Sequence, residues 1–117
     1  MNEPGWQVRS PTGRFRIETD TWEAFNTHWV ATPTLLDTTT NQILLVFSDH
    51  RWSMDEAHWL DDNKVSLTMR RYPGNHKPPD VVAVIDCAAG TAKVGDKEMA
   101  ISALETALNE ALTWIHG

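Results

Sequence analysis

Cysteine occurs once, at Cys87, so an intrachain disulfide is excluded and a small domain without staples fits a reducing, cytoplasmic compartment. Long hydrophobic runs are also missing. The longest unbroken apolar stretches, Ile43 to Phe47 and Val81 to Ile85, fall far short of the ~20 residues that cross a bilayer, so no membrane segment is expected. Basic residues are scarce: 10 Lys and Arg face 16 Asp and Glu, and the formal charge of −6 with a pI near 5.2 argues against nucleic acid and favours a basic protein partner. Tyrosine is nearly absent while tryptophan is not, with one against six, so the aromatic content lies in the side chain that serves both cores and interface hot spots.

At 117 residues the chain has the length of one domain with one core. Met1-Asn2-Glu3-Pro4-Gly5 has neither a basic n-region nor an apolar run, so no secretory signal is expected and residues 1–9 read as a loosely attached tail. Arg14-Phe15-Arg16-Ile17-Glu18 alternates after the turn Ser10-Pro11-Thr12-Gly13 and predicts a half-buried strand. A second strand is expected over Asp20 to Ala31, with Phe25, Trp29 and Ala31 on one side and Asn26 and His28 on the other. Leu35 to Asp37 and Ile43 to Phe47 flank a polar connection and read as a hairpin. The continuous apolarity of 43–47 implies cover on both faces, by a central place in the sheet or a place under the helix.

Ser53-Met54-Asp55-Glu56 has the form of a capping box and predicts a helical turn before a short strand Ala57 to Leu60. Lys64 to Tyr72 carries the cleanest period-2 pattern, with Val65, Leu67 and Met69 on one face. The three prolines and one glycine of 73–79 predict a loop without regular structure. Asp80 to Cys87 reads as a strand. Ala88-Ala89-Gly90 and Gly95-Asp96 read as hairpin turns on either side of Thr91 to Val94, with Lys97 to Ala100 closing the second hairpin. Ser102-Ala103-Leu104-Glu105 is another capping box, and Leu104, Leu108, Ala111 and Ile115 form a helical stripe. The expected fold is therefore α+β, an antiparallel β-meander of about seven or eight strands packed against one C-terminal amphipathic helix.

Ser10-Pro11-Thr12-Gly13-Arg14-Phe15 resembles the turn between strands of β-propeller blades, and Trp52-Ser53 with Trp59-Leu60-Asp61-Asp62-Asn63 resembles similar inter-strand phrases. That resemblance implies meander topology with aromatic packing, since the length is too short for a closed ring of blades. The whole pattern also looks like small bacterial single-domain proteins, including those encoded as immunity partners of secreted toxins. No catalytic residue carries over from them.

Asp49, His50, Asp55 and His58 invite a metal reading, yet their spacing matches neither a zinc helix nor a calcium loop, and no cofactor is expected. Cys87 shares a strand face with Val81, Ala83 and Ile85 and reads as a core thiol. Trp29 and Trp59 read as core, whereas Trp6, Trp22 and Trp52 lie beside turns and charges. The candidate protein-binding surface is Trp52 with Asp49, Asp55, Asp61 and Asp62, and Trp22 as neighbour. The alternative is the loop of Arg70, Arg71, Tyr72, His76 and Lys77, the only basic concentration, which would be solvated or would pair with the acidic edge of its own domain. Three function classes stay open. They are a non-catalytic protein-binding module, such as a neutralising partner of a basic bacterial protein; a small hydrolase or metal-dependent enzyme; and a structural or oligomerisation domain. The first ranks ahead because no catalytic constellation is spelled out.

Overall fold

The computed structural model describes residues 7–23 and 29–115. Among the described residues the strands form two larger antiparallel sheets and one two-stranded ladder, and one short α-helix precedes the last strand. In the first sheet β1 (Gln7–Arg9), β2 (Phe15–Glu23), β3 (Trp29–Asp37) and β4 (Gln42–Leu45) lie in sequence order. In the second, β5 (Trp52–Trp59), β6 (Lys64–Arg71), β8 (Val81–Asp86), β9 (Thr91–Val94) and β10 (Lys97–Ala100) run in the order β10-β9-β8-β6-β5. Between β6 and β8, the short β7 (His76–Lys77) leaves the sheet to pair with β11 (Thr113–Trp114). A 3₁₀ turn, Ile101–Ala103, leads into α1 (Leu104–Ala111).

The alternating segments behave as their pattern dictates. Val65, Leu67 and Met69 of β6 stand opposite Ile85, Ala83 and Val81 of β8, so all six buried side chains share one face of the second sheet. Phe15, Ile17 and Leu35 supply the facing layer from the first sheet. Leu104 and Leu108 of α1 join the same core, whose burial is the main stabilising term. The turns after β8 and β9 form as expected. Gly95 has a φ of 59° between Val94 and Lys97, the left-handed first position that a type II′ turn demands.

The single meander is broken between β3 and β5. The C-terminal half of β3 pairs with β4, and its Val30 to Thr32 stretch lies beside the start of β5 without a ladder. Side-chain hydroxyls bridge the gap instead. The Ala31 N–H donates to Ser53 Oγ at 3.0 Å, and Thr32 Oγ1 lies 2.8 Å from the Trp52 carbonyl and 2.9 Å from that of His50, one proton shared between two acceptors. This bond also corrects the expected helical turn at Ser53. Residues 52–59 are one strand whose Ser53 and Trp52 pair with Arg70 and Arg71, and that inter-strand pairing overrides the local capping signal.

Other expectations are corrected too. The strand expected over Asp20 to Ala31 is two strands, β2 ending at Glu23 and β3 starting at Trp29; Phe25, Asn26 and His28 lie outside the described residues, as does Trp6. Trp29, expected in the core, is 49% exposed and pairs with Glu23 at the last described position of the β2–β3 ladder. The run 43–47 is not central: β4 is the edge of its sheet, and Ile43 and Val46 are each 61% exposed. Residues 7–9 of the expected tail are a paired strand, and 73–79 contains β7. Ser102 caps nothing, since the residue preceding α1 is Ala103 with no side-chain cap. The helix ends at Ala111, so Ile115 falls outside it, beyond β11, and is exposed. No helix among the described residues is long and apolar enough to cross a membrane.

Candidate functional site

The turn of residues 48–51 carries the chain from the first sheet to the second, and its Asp49 is held by two arginines. Arg51 donates to it from the backbone N–H at 3.0 Å, from Nε at 3.1 Å and from Nη2 at 3.0 Å. Arg71, at the end of β6, adds Nε at 3.0 Å and its Nη2. The Arg51 hydrogen bond leads in holding the Asp49 carboxyl well below the usual carboxylate range, with Arg71 adding to it against the cost of partial burial. The Arg71 guanidinium lies over the Trp114 ring at 5.3 Å, and the Arg71 N–H donates to His76 Nε2 at 3.2 Å. His76 is buried edge-on against Trp114 at 5.1 Å, with its Nδ1 donating to the Pro78 carbonyl at 2.7 Å. Both ring nitrogens are therefore used in structure.

The acidic and basic groups interleave rather than separate. Asp55 is the extra residue of a bulge between Met54 and Glu56, which turns its carboxylate to Arg70 Nε at 2.9 Å. Asp49, Asp55, Arg70 and Arg71 thus neutralise one another, and the basic loop pairs with the acidic edge of its own chain. Trp52 lies between the sheets with no exposed surface, tilted against Phe47 at 6.2 Å, so its ring offers nothing to a partner. Trp22 is half-buried; its Nε1–H donates to the His50 carbonyl at 3.1 Å and its ring meets Tyr72 edge-on at 5.7 Å. Lys77 is exposed and pairs with Thr113 through the backbone.

Asp61 and Asp62 behave differently. They occupy the β5–β6 turn and are held by neutral donors: Asp61 accepts the N–H groups of Asn63 at 2.7 Å and Lys64 at 2.8 Å, and Asp62 accepts the N–H and hydroxyl of Thr12 at 2.8 and 2.7 Å. Those Thr12 bonds lower the Asp62 pKa, so the group stays charged into mild acid. Arg14, the nearby cation, pairs with Asp37 at 3.7 Å and its charge also helps to lower the Asp62 pKa. Leu60, next to this pair, is 56% exposed. Sequence reasoning passed over Leu60, although a leucine between a strand end and three turn residues has no core face to join. It also left Trp114 out of the candidate surface and read Glu105 only as a capping residue, because the roles of both depend on partners 38 or more residues away.

Among the described residues no three His, Cys, Asp or Glu side chains are grouped as a metal site, and Asp49 and Asp55 are taken by arginines. Cys87 is buried, and that burial, with Asp86 and Asp37 adding to it, pushes its thiol up to about 12, far from a reactive thiolate. No family model, no curated protein and no solved structure matches the chain, and its own residues carry the functional reading.

Proposed function

We propose that the chain is a non-catalytic protein-binding module that takes a basic partner at the β5–β6 turn. The observation that carries this reading is Leu60, a large apolar side chain standing 56% exposed beside two carboxylates whose hydrogen bonds come from neutral donors. Such a tip combines an apolar anchor with charges that are already oriented, so a lysine or arginine on a partner finds an acceptor without reorganisation. The net charge of −6 adds long-range attraction for a basic surface. The partner that this reading fits is a basic bacterial protein, which the chain would neutralise by covering its basic surface.

The test is capture of a partner by the native chain, followed by association and dissociation rates for Leu60→Ala and Asp61→Asn. Leu60→Ala should speed dissociation by about tenfold, equivalent to ~1.4 kcal/mol. Asp61→Asn keeps the oxygen that accepts the turn N–H groups, so the turn survives and only the charge is lost. It should slow association at low salt and match the native chain near 1 M salt, where the Debye length is ~3 Å. Unchanged rates in both variants would remove this surface from consideration.

A further inference from the structure

We propose that residues 113–115 form a strap that His76 holds shut while its ring is neutral and releases in mild acid. His76 is 3% exposed, whereas the other described histidines, His50 and His58, lie at the surface. Its Nε2 accepts the Arg71 N–H at 3.2 Å, which places the ring proton on Nδ1, where it donates to the Pro78 carbonyl at 2.7 Å. A ring that accepts at one nitrogen and donates at the other is neutral. A second proton, on Nε2, would point at the Arg71 N–H. Two donors would then face each other with no acceptor between them, in a site closed to water.

That ring is what β11 rests on. Trp114 stands opposite His76 in the β7–β11 ladder and meets its ring edge-on at 5.1 Å. One residue further, the Ile115 N–H donates to the Asn75 carbonyl at 2.9 Å, and Asn75 Nδ2 donates to the Ile115 carbonyl at 3.3 Å. Leu112, just before the strap, is buried with Leu104 and Leu108, so the strap can lift from Thr113 onward while the helix stays packed. The surrounding charge also opposes a protonated ring. The Arg71 guanidinium already lies over Trp114 at 5.3 Å, so a charged His76 would bring a second cation to the same indole. Asp49 is paired with Arg51 and Arg71, Lys77 and Asp80 on either side of the prolines are exposed, and β11 supplies Thr113 and Trp114, neither of them ionisable. Among the described residues no carboxylate pairs with the His76 ring. Release bares the Trp114 ring and uncovers the Arg71 guanidinium beneath it, an apolar and cationic surface that the closed strap conceals.

Imidazole takes up its second proton near pH ~6.5 in water. The closed strap carries no proton on Nε2 and the open strap gains one below that value, so the histidine's contribution to closure is complete above about pH 6.5 and is lost as pH falls. Ring nitrogen chemical shifts and amide hydrogen exchange of the full chain read the two steps separately. Near neutral pH the His76 ring should show the tautomer protonated on Nδ1. Protection of the Ile115 N–H should then fall about tenfold per pH unit from about pH 6.5 to about pH 5, while the core amides of Leu67 and Ile85 keep theirs. His76→Gln can offer a carbonyl oxygen in place of Nε2 and takes up no proton, so its Ile115 protection should stay level over the same range. The two readings on the native chain stand without that variant, should it fail to fold. A tautomer protonated on Nε2, Ile115 protection that stays level down to about pH 5, core amides that lose protection together with Ile115, or a folded His76→Gln chain that keeps the acid response would each overturn the assignment.

Discussion

Trp52 has no exposed surface, and its indole N–H meets no acceptor among the described atoms, so the side chain stabilises through packing area alone. Trp52→Ala should therefore cost about 3–5 kcal/mol in denaturant unfolding through the cavity it leaves. Trp52→Phe should cost clearly less, because it keeps a ring against Phe47 and discards a donor that was unpaired. Equal losses in the two variants would show that the indole N–H is satisfied after all. Asp49 tests the electrostatic counterpart. Its folded pKa lies below the unfolded value of ~3.9, so its contribution is complete above that value and is lost as pH falls toward the folded one. Asp49→Asn should cost about 1–3 kcal/mol near neutrality by leaving Arg71 short of its partner. The gap between variant and native unfolding free energies should stay level from about pH 7 to pH 5 and close below about pH 4; a gap that widens in acid would contradict the sign.

Among the elements, α1 is tied to the inter-sheet turn by Glu105, whose carboxylate accepts the Ser48 N–H, the Ser48 hydroxyl and the Asp49 N–H at 2.8–3.0 Å. Glu105→Ala should cost about 1–2 kcal/mol, partly discounted for exposure, and amide exchange at Ser48 and Asp49 should quicken more than elsewhere. Unaltered exchange there would mean that the turn holds without the helix. Glu105 stood in the sequence as the last member of a capping box; the composition was right for a helix start, but the carboxylate finds better donors in a distant turn. Ser53 misled for the same reason. The strands β6, β8, β9 and β10 were legible because each pairs through a short turn or carries its alternation in full, as Val65, Leu67 and Met69 do. The separation of β2 from β3 was not, because apolar residues keep an even spacing from Phe25 to Ala31 in the sequence.

At the scale of the molecule, truncation after Ala100 removes Ile101, Leu104, Leu108 and Leu112 from the core. At ~1.5–3 kcal/mol for each buried aliphatic side chain, that loss takes most of the ~5–15 kcal/mol by which a domain is stable. The truncated chain should lose its cooperative melt, and one that keeps it would show that the sheets stand without the helix. Antiparallel sheet with a C-terminal helix was legible; its division into two sheets was not, because the seam rests on Thr32 and Ser53, two residues that any strand accommodates. Among the candidate site residues, sequence placed the acids near the arginines without showing that they pair, since the bulge at Asp55 leaves no mark in the local pattern. Among the described residues the backbone passes between the two large sheets once, through residues 46–51, so each sheet is drawn from one continuous stretch of chain. A nick between the exposed His50 and Arg51 would separate the molecule into pieces that need not be threaded through each other to reunite. Residues 1–50 and 51–117, produced apart and mixed, should recover the fluorescence of a buried Trp52 that neither piece has alone, which would make the chain a split protein whose reassembly reports the proximity of whatever each half is fused to.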